Sequence, residues 1–118
     1  MTDRIAAYAL KDKRLVRQHR SGTPESAVLA AVRQWAARYP DVYLVRVVQA
    51  GSSGVPDLLL CIRGRFVGVE CKAPGKKPTA LQLKHGADIA RTGGLFLWGD
   101  DAALIPELER IYHANSNT

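Results

Sequence analysis

Hydrophobic positions between Thr23 and Pro40 recur with the 3.6-residue period of an amphipathic α-helix. The flanking residues suit this element, because Thr23 is a good N-cap, Pro24 fits the first helical position and Pro40 cannot continue a helix. We therefore predict a helix in this region. Its buried stripe consists of Val28, Leu29, Val32, Trp35, Ala36 and Tyr39.

Two further helices are predicted nearer the C-terminus. One runs from about Ala80 to Thr92, follows the N-cap Thr79 and ends at two glycines. Its residues available for burial are Leu81, Leu83, Ala87, and Ile89 or Ala90. The other runs from Ala102 to Tyr112 and is interrupted or begun near Pro106, because proline disfavours a helix interior.

Four apolar runs rich in β-branched or aromatic residues predict strands. They are VYLVRVVQ (42–49), DLLLCI (57–62), FVGVECK (66–72) and LFLW (95–98). The predicted order of elements is α, β, β, β, α, β, α. A length of 118 residues suits one domain with a single core.

The second and third strands form a predicted hairpin, and its register decides where its polar residues lie. A two-residue loop at Gly64 and Arg65 suits a type II′ turn and sets 63 opposite 66, 59 opposite 70, and 57 opposite 72. Because side chains alternate across a strand, Asp57, Glu70 and Lys72 then share one face. Asp57 and Glu70 become diagonal neighbours at the open end of the hairpin.

Two converging carboxylates repel each other unless a positive charge lies between them. A magnesium ion prefers oxygen ligands, takes one or two carboxylates and completes its shell with water and substrate phosphate. Asp57 and Glu70, with the backbone carbonyl of Cys71, match this demand. A cross-strand ion pair between Lys72 and Asp57 explains the same spacing without a metal, and the spacing alone does not exclude it.

The net charge bears on the kind of partner that the protein binds. The chain carries 17 Lys and Arg against 11 Asp and Glu, a net charge of +6, which suits a polyanion such as nucleic acid but is also common in small soluble proteins. No apolar run approaches the roughly 20 residues that span a bilayer. The N-terminus is too charged for a secretory signal, so we predict a cytoplasmic protein without a membrane partner.

Cysteine and histidine give no sign of a zinc site. Cys61 and Cys71 lie in strand-like runs and are predicted to be reduced, buried side chains, with a disulfide between them as the alternative. The three histidines, His19, His85 and His113, are scattered without metal-ligand spacing.

The polar residues of the hairpin match a known nuclease signature. Pro56-Asp57 followed by Glu70-Cys71-Lys72 has the form PD-(D/E)xK, Glu25 opens the preceding helix, and TALQLKHGADIARTGG places Gln82 on the next helix. From about Thr23 to Trp98 the chain resembles the VRR-NUC domain, the virus-type replication-repair nuclease. The resemblance implies an α/β fold with a PD-(D/E)xK restriction-endonuclease-like core, in which helices flank a central mixed β-sheet.

The resemblance also implies a role for each matching residue in Mg²⁺- or Mn²⁺-dependent hydrolysis of a phosphodiester. Asp57 and Glu70 match the metal-binding acids, and Glu25 matches the helix acid that contacts the metal directly or through water. Lys72 matches the lysine that activates the attacking water and stabilises phosphate charge. Gln82 matches a helix glutamine near the site.

Several other residues are expected to contact DNA phosphates rather than base edges. Ser52 and Ser53 lie in a glycine-flanked loop, and ordinary loop flexibility explains them equally well. The lysines near the expected mouth of the site could equally be solvated surface residues, as could the arm residues. These basic candidates are Lys76, Lys77, Lys84, Arg14 and Arg17.

We predict three parts of the chain, a basic arm at 1–22, a VRR-NUC-like nuclease domain at 23–112 and a frayed tail at 113–118. Short members of the family resemble Holliday-junction resolvases, which implies a homodimer acting on branched DNA, in a bacterial or phage-infected cell. A nuclease that cuts ordinary duplex is one alternative. A non-catalytic basic DNA-binding module, with the acids in a salt-bridged sheet edge, is the other.

Overall fold

The computed structural model describes residues 24–48 and 53–116, and these form three helices and four strands in the predicted order. The elements are α1 (Glu25–Ala37), β1 (Val42–Arg46), β2 (Leu58–Ile62), β3 (Arg65–Cys71), α2 (Ala80–Arg91), β4 (Leu95–Gly99) and α3 (Asp101–Ala114). No described helix has both the length and the apolar character needed to cross a membrane.

The four strands form one mixed sheet in the order β1-β2-β3-β4. β1 pairs with β2 and β2 with β3 in antiparallel fashion, whereas β4 is parallel to β3. A parallel neighbour requires a crossover, and α2 supplies it. The α/β class and the mixed sheet predicted from the sequence are therefore confirmed.

The two faces of the sheet are covered unequally. Alternate residues of β2 and β3 are fully buried on one face, where α1 and α3 close the core. On the other face α2 packs against β3 and β4, and its close approach depends on glycine. A Cβ at Gly86 would clash with the ring of Phe96, and one at Gly68 would lie 2.8 Å from Cδ1 of Ile89.

This approach explains why the predicted burial of α2 is only partly right, since Ile89 is half-buried against Gly68 and the other predicted residues are exposed. Leu81 and Leu83 are 51% and 45% exposed, and Ala87 and Ala90 are also exposed. Gly86 is the buried residue of the helix, because its missing side chain lets the backbone lie against Phe96. The side of α2 that faces the sheet is therefore the side that carries Gly86, and not the side of either leucine.

The ends of the other helices also differ from their predictions. Pro24 occupies the N-cap of α1 rather than the first helical position, and Thr23 lies outside the described residues. α3 continues without interruption through Pro106 to Ala114, so His113 and Ala114 are helical rather than part of a frayed tail. The side chain of Asp100 caps this helix by accepting from the Ala103 amide at 3.0 Å.

The turn between β2 and β3 lies one residue earlier than predicted. Ile62 pairs with Arg65, so the two loop residues are Arg63 and Gly64, with φ values of 50° and 85°. Positive φ at both positions is typical of a type I′ turn rather than the predicted type II′. A positive φ is unfavourable for arginine, by about 1–2 kcal/mol.

Contacts of the Arg63 side chain offset this cost. Its Nε donates to Asp41 at 2.8 Å, and its guanidinium lies 3.8 Å from the ring centroid of Tyr112. Further bonds run to the Tyr112 hydroxyl at 3.0 Å and to the carbonyl oxygen of Asn115 at 3.2 Å. The turn is therefore fixed by tertiary contacts with the end of α3, which no local pattern shows.

Both cysteines are free thiols, so the alternative of a disulfide is wrong. Cys71 is buried as predicted, but Cys61 is exposed. The reason is the alternation along β2: Leu60 and Ile62 face the core, and Cys61 faces the opposite side of the sheet.

Candidate active site

The polar residues singled out in the hairpin meet at one edge of the sheet. Asp57 immediately precedes β2 and Lys72 immediately follows β3, and the two strands are antiparallel, so both residues lie at the same end. Backbone bonds extend the sheet to both of them. Val47 N donates to the carbonyl oxygen of Asp57 at 2.8 Å, and Lys72 N donates to that of Gly99 at 2.8 Å.

The observed register brings the two acids closer than predicted. Leu58 pairs with Val69, so Asp57 lies opposite Glu70 instead of diagonal to it. The partner of each β2 residue has moved by two positions along β3, and a shift of two keeps every side chain on its face. Asp57, Glu70 and Lys72 therefore share one face, as the sequence predicted from a different turn.

Glu70 is the most unusual group of the site, because it is a carboxylate only 2% exposed. Its Oε2 accepts from Gln82 Nε2 at 2.8 Å and lies 3.5 Å from Lys72 Nζ, whereas its buried Oε1 has no hydrogen-bond partner among the described residues. Burial raises the pKa of Glu70 to about 7, and repulsion from Asp57 adds to it, while Lys72 opposes the shift.

Lys72 supplies the positive charge among the acids. It is 8% exposed, and its Nζ lies 3.5 Å from Glu70 and 3.8 Å from Glu25 Oε1 at the start of α1. Asp57 instead accepts a hydrogen bond from the Cys71 amide through Oδ2 at 2.9 Å. The ion pair considered from the sequence, Lys72 with Asp57, is therefore replaced by pairs with the two glutamates.

Gln82 connects the start of α2 to the buried carboxylate. Its side-chain Oε1 accepts from the Thr79 backbone amide at 2.8 Å, and its backbone amide donates to Thr79 Oγ1 at 3.2 Å. The two bonds together form a capping box. Its Nε2 donates to Glu70. Because both ends of the side-chain amide are engaged, the orientation of Gln82 is fixed and it holds Glu70 from one side.

Thr79 is a contributor that the sequence reasoning named only as a helix cap. The signal was present, since Thr79-Ala80-Leu81-Gln82 has the T-x-x-Q spacing of a capping box. The spacing does not show that the side-chain Nε2 of Gln82 also donates to Glu70 on β3.

The residues predicted to contact DNA do not form one cluster as the acids and Lys72 do. Lys76 and Lys77 are exposed in the loop that joins β3 to α2, and Ser53 is exposed before β2. Lys84 lies on the surface of α2 and pairs with Asp88 at 3.3 Å. The remaining candidates lie outside the described residues; they are Ser52, Arg14 and Arg17.

The site offers few ligands to a metal ion. Within residues 24–48 and 53–116, no three His, Cys, Asp or Glu side chains are grouped as a metal site. Asp57 and Glu70 are two carboxylates, and Glu70 Oε1 is a buried acceptor that no protein group satisfies. This oxygen-only pair fits Mg²⁺ or Mn²⁺, which usually bind through one or two carboxylates and otherwise through water and substrate phosphate.

A comparison with known proteins gives one informative similarity. The chain is 45% identical over 49 residues to a protein named "Putative nuclease p44" from Acyrthosiphon pisum secondary endosymbiont phage 1. The match covers 41% of this chain and 53% of that protein, so the chain spans about half of the relative's length. No family model matches the chain, and no solved structure matches it.

Proposed function

We propose that the chain is a metal-dependent DNA endonuclease of the VRR-NUC type, which hydrolyses phosphodiester bonds. The observation that carries the proposal is Glu70: a buried carboxylate beside Asp57, with one oxygen unpartnered and its pKa raised. A buried acid that its cationic neighbour compensates only in part destabilises a fold, and such groups concentrate at functional sites. The name of the phage relative supports the same class of activity.

In this proposal Asp57 and Glu70, with the Cys71 carbonyl, would hold Mg²⁺ or Mn²⁺, which would supply Lewis-acid polarisation of the scissile phosphate and a more acidic bound water molecule. Lys72 donates to the charge that develops on the phosphate, and its two glutamate partners hold the ammonium in place. Gln82 orients Glu70 so that Oε2 is occupied and Oε1 remains available. Glu25 is an outer acid whose described contact is with Lys72.

A non-catalytic DNA-binding module explains this edge less well. Phosphate binding favours lysine and arginine, and three acids near the contact surface would weaken it. A structural ion pair also accounts poorly for Glu70, because Lys72 does not cancel the effect of burial on its pKa. We further propose a homodimer that selects branched DNA, with cleavage of ordinary duplex as the outcome to be distinguished.

The direct test is a cleavage assay with the purified full chain. Four-way junction, flap and linear duplex DNA of matched sequence are incubated with Mg²⁺, Mn²⁺ or EDTA, and the molecular mass in solution is measured in parallel. We expect cleavage with either metal and none in EDTA. A junction or flap preference together with a dimeric mass would support the finer proposal.

The control for a contaminating nuclease is Asp57→Asn, purified in the same way. The asparagine carbonyl can still accept from the Cys71 amide, so the hairpin end keeps its hydrogen bond while the charge is lost. This variant should bind DNA at least as tightly as the parent and cleave none. Binding by a parent chain that cleaves no DNA form with either metal would favour the non-catalytic module.

The variant Gln82→Glu separates the role of Gln82 in capping α2 from its role as a hydrogen-bond donor to Glu70. A glutamate can still accept from the Thr79 amide and complete the capping box, but it places a second carboxylate against Glu70 in place of a donor. We expect cleavage to fall by roughly 10–100-fold, the range seen when groups that orient metal ligands are removed. The matched control Thr79→Ala loses the cap, with about 1 kcal/mol of stability, but retains the donor to Glu70. Equal cleavage by the parent and Gln82→Glu would exclude a role of Gln82 in orienting Glu70.

A further inference from the structure

A row of exposed apolar side chains lies on the same sheet face as Asp57 and Glu70. Tyr43 pairs with Cys61, and Cys61 pairs with Phe66, so the three form a row across β1, β2 and β3, here called the aromatic row. Tyr43 is 68% exposed, Phe66 is 45% exposed and Cys61 is also exposed. α2 covers only the β3 and β4 side of this face.

The aromatic row lies on the same sheet face as the acids, two rows away from them. The row between contains Val45, Leu59 and Gly68, of which Gly68 is buried under Pro56 and Ile89, and the next row contains Asp57 and Glu70. Cys61 lies four positions along the chain from Asp57, which is a distance of about 13 Å along the sheet. A flexible ligand only a few nucleotides long could therefore reach from one to the other.

We propose that the aromatic row binds unpaired bases of the DNA substrate next to the cleavage site. The proposal rests on the proposed function in taking DNA as the ligand, and it adds that the preferred DNA contains a single-stranded segment. Exposed aromatic side chains on a sheet face are an established platform for stacking single-stranded bases. The net charge of +6 supplies the general attraction for the backbone.

The chemistry of the row disfavours double-stranded DNA as its occupant. A duplex presents phosphates, and neither the aromatic row nor the Val45–Leu59–Gly68 row beside it contains a charged side chain. Unpaired bases present flat aromatic surfaces, which Tyr43 and Phe66 can contact. Such stacking tolerates any base, so the row would select the shape of the substrate rather than its sequence.

The size of the row also disfavours a second copy of the chain. The exposed parts of the two aromatic side chains together amount to only about 200 Å², given that a whole aromatic side chain buries 150–250 Å². A stable protein–protein interface needs about 800 Å² from each partner. Two or three bases match the smaller area.

Cys61 provides a direct probe of the row. It is an exposed thiol between Tyr43 and Phe66, whereas the other cysteine, Cys71, is buried with a raised pKa and should not react. Maleimide labelling of the full chain is followed in EDTA, so that no cleavage occurs. We expect single-stranded oligothymidine to slow labelling of Cys61 at least fivefold, and a blunt duplex at equal occupancy to leave it unchanged.

The variant Tyr43→Ser/Phe66→Ser tests the contribution of the ring faces. Both side chains are exposed, so the fold should be retained. We expect the affinity for oligothymidine to fall by roughly 5–100-fold and that for blunt duplex to change less than twofold. Leu81→Ser/Leu83→Ser is the matched control, because it removes two apolar side chains of similar exposure from α2 and should leave both affinities unchanged.

Three results would overturn the inference. One is unchanged oligothymidine affinity in the aromatic variant, or the same loss in the leucine control. Another is slow labelling of Cys61 in the free chain, which would mean that another part of the protein already covers the row. The third is a lower molecular mass of the aromatic variant, which would assign the row to a second copy.

The outcomes also separate this inference from the nuclease itself. A chain that cleaves flap DNA but shows no protection of Cys61 retains the proposed function and loses the aromatic row. A chain that protects Cys61 with oligothymidine but cleaves nothing retains the row and loses the nuclease.

Discussion

Replacing Glu70 by glutamine should abolish cleavage and make the protein more stable. The amide carries no charge to hold a divalent cation, so cleavage should fall by roughly 10²–10³-fold or more. The fold should gain stability, because a neutral side chain replaces a carboxylate that is 2% exposed and lies beside Asp57. Opposite effects on activity and stability are the signature of a residue retained for function.

The pKa of Glu70 sets the size and the pH range of this gain. Its folded pKa of about 7 lies above the ordinary value of 4.5, so the folded state binds the proton more tightly than the unfolded state. The contribution of this group is therefore fully present below pH 4.5 and is lost as the pH rises to about 7. At 1.36 kcal/mol per pKa unit, the difference between 4.5 and about 7 corresponds to a gain of about 3 kcal/mol for Glu70→Gln at pH 8.

Urea unfolding in EDTA at pH 4.5, 6 and 8 measures this effect. The difference in unfolding free energy between Glu70→Gln and the parent should be small at pH 4.5 and reach its maximum near pH 8. Added Mg²⁺ should stabilise the parent at pH 8 and leave the variant unchanged, because only the parent binds the ion. A variant that is less stable than the parent at pH 8 would contradict the assignment of Glu70 as a buried charge that Lys72 compensates only in part.

The meeting of Asp57, Glu70 and Lys72 on one face followed from the sequence even though the predicted turn was wrong. The prediction used Gly64 as the first turn residue, whereas the turn begins at Arg63. The prediction that they share a face held because the observed register differs from the predicted one by two residues. A shift by an even number of residues leaves each side chain on the same face of the sheet. Local glycine preference could not locate the turn, since Arg63 is held by Asp41 and Tyr112, which are distant in sequence.

The features that the sequence could not show are those that depend on packing between elements. Leu81 and Leu83 were predicted to be available for burial, but Gly86 is the residue of this helix that lies against Phe96, and both leucines are exposed. The capping box between Thr79 and Gln82 was readable, whereas the bond from Gln82 to Glu70 required the helix to lie over the strand. Spacing thus identified the candidate residues, and tertiary packing determined their partners.

Replacing Lys72 by methionine should also abolish cleavage but should destabilise the protein. The methionine fills a similar space without the charge, so cleavage should fall by roughly 10²–10³-fold, as when a donor to developing transition-state charge is removed. Glu70 would lose the cation 3.5 Å from its Oε2 and would remain buried among like charges. Breaking a buried pair in this way costs about 3–5 kcal/mol.

The loss of stability should depend on pH, because Glu70 can take up a proton instead of remaining charged. Without Lys72 its pKa should rise further above 7, since Lys72 is the group that opposes the shift. In urea unfolding with EDTA, Lys72→Met should therefore approach the parent's stability at pH 5 and fall furthest below it at pH 8. Lys84→Met is the matched control, because this exposed lysine pairs with Asp88 on the helix surface and its loss should cost less than about 0.5 kcal/mol at any pH. An equal loss in both lysine variants, or a loss in Lys72→Met that does not change between pH 5 and pH 8, would show that Lys72 does not compensate Glu70.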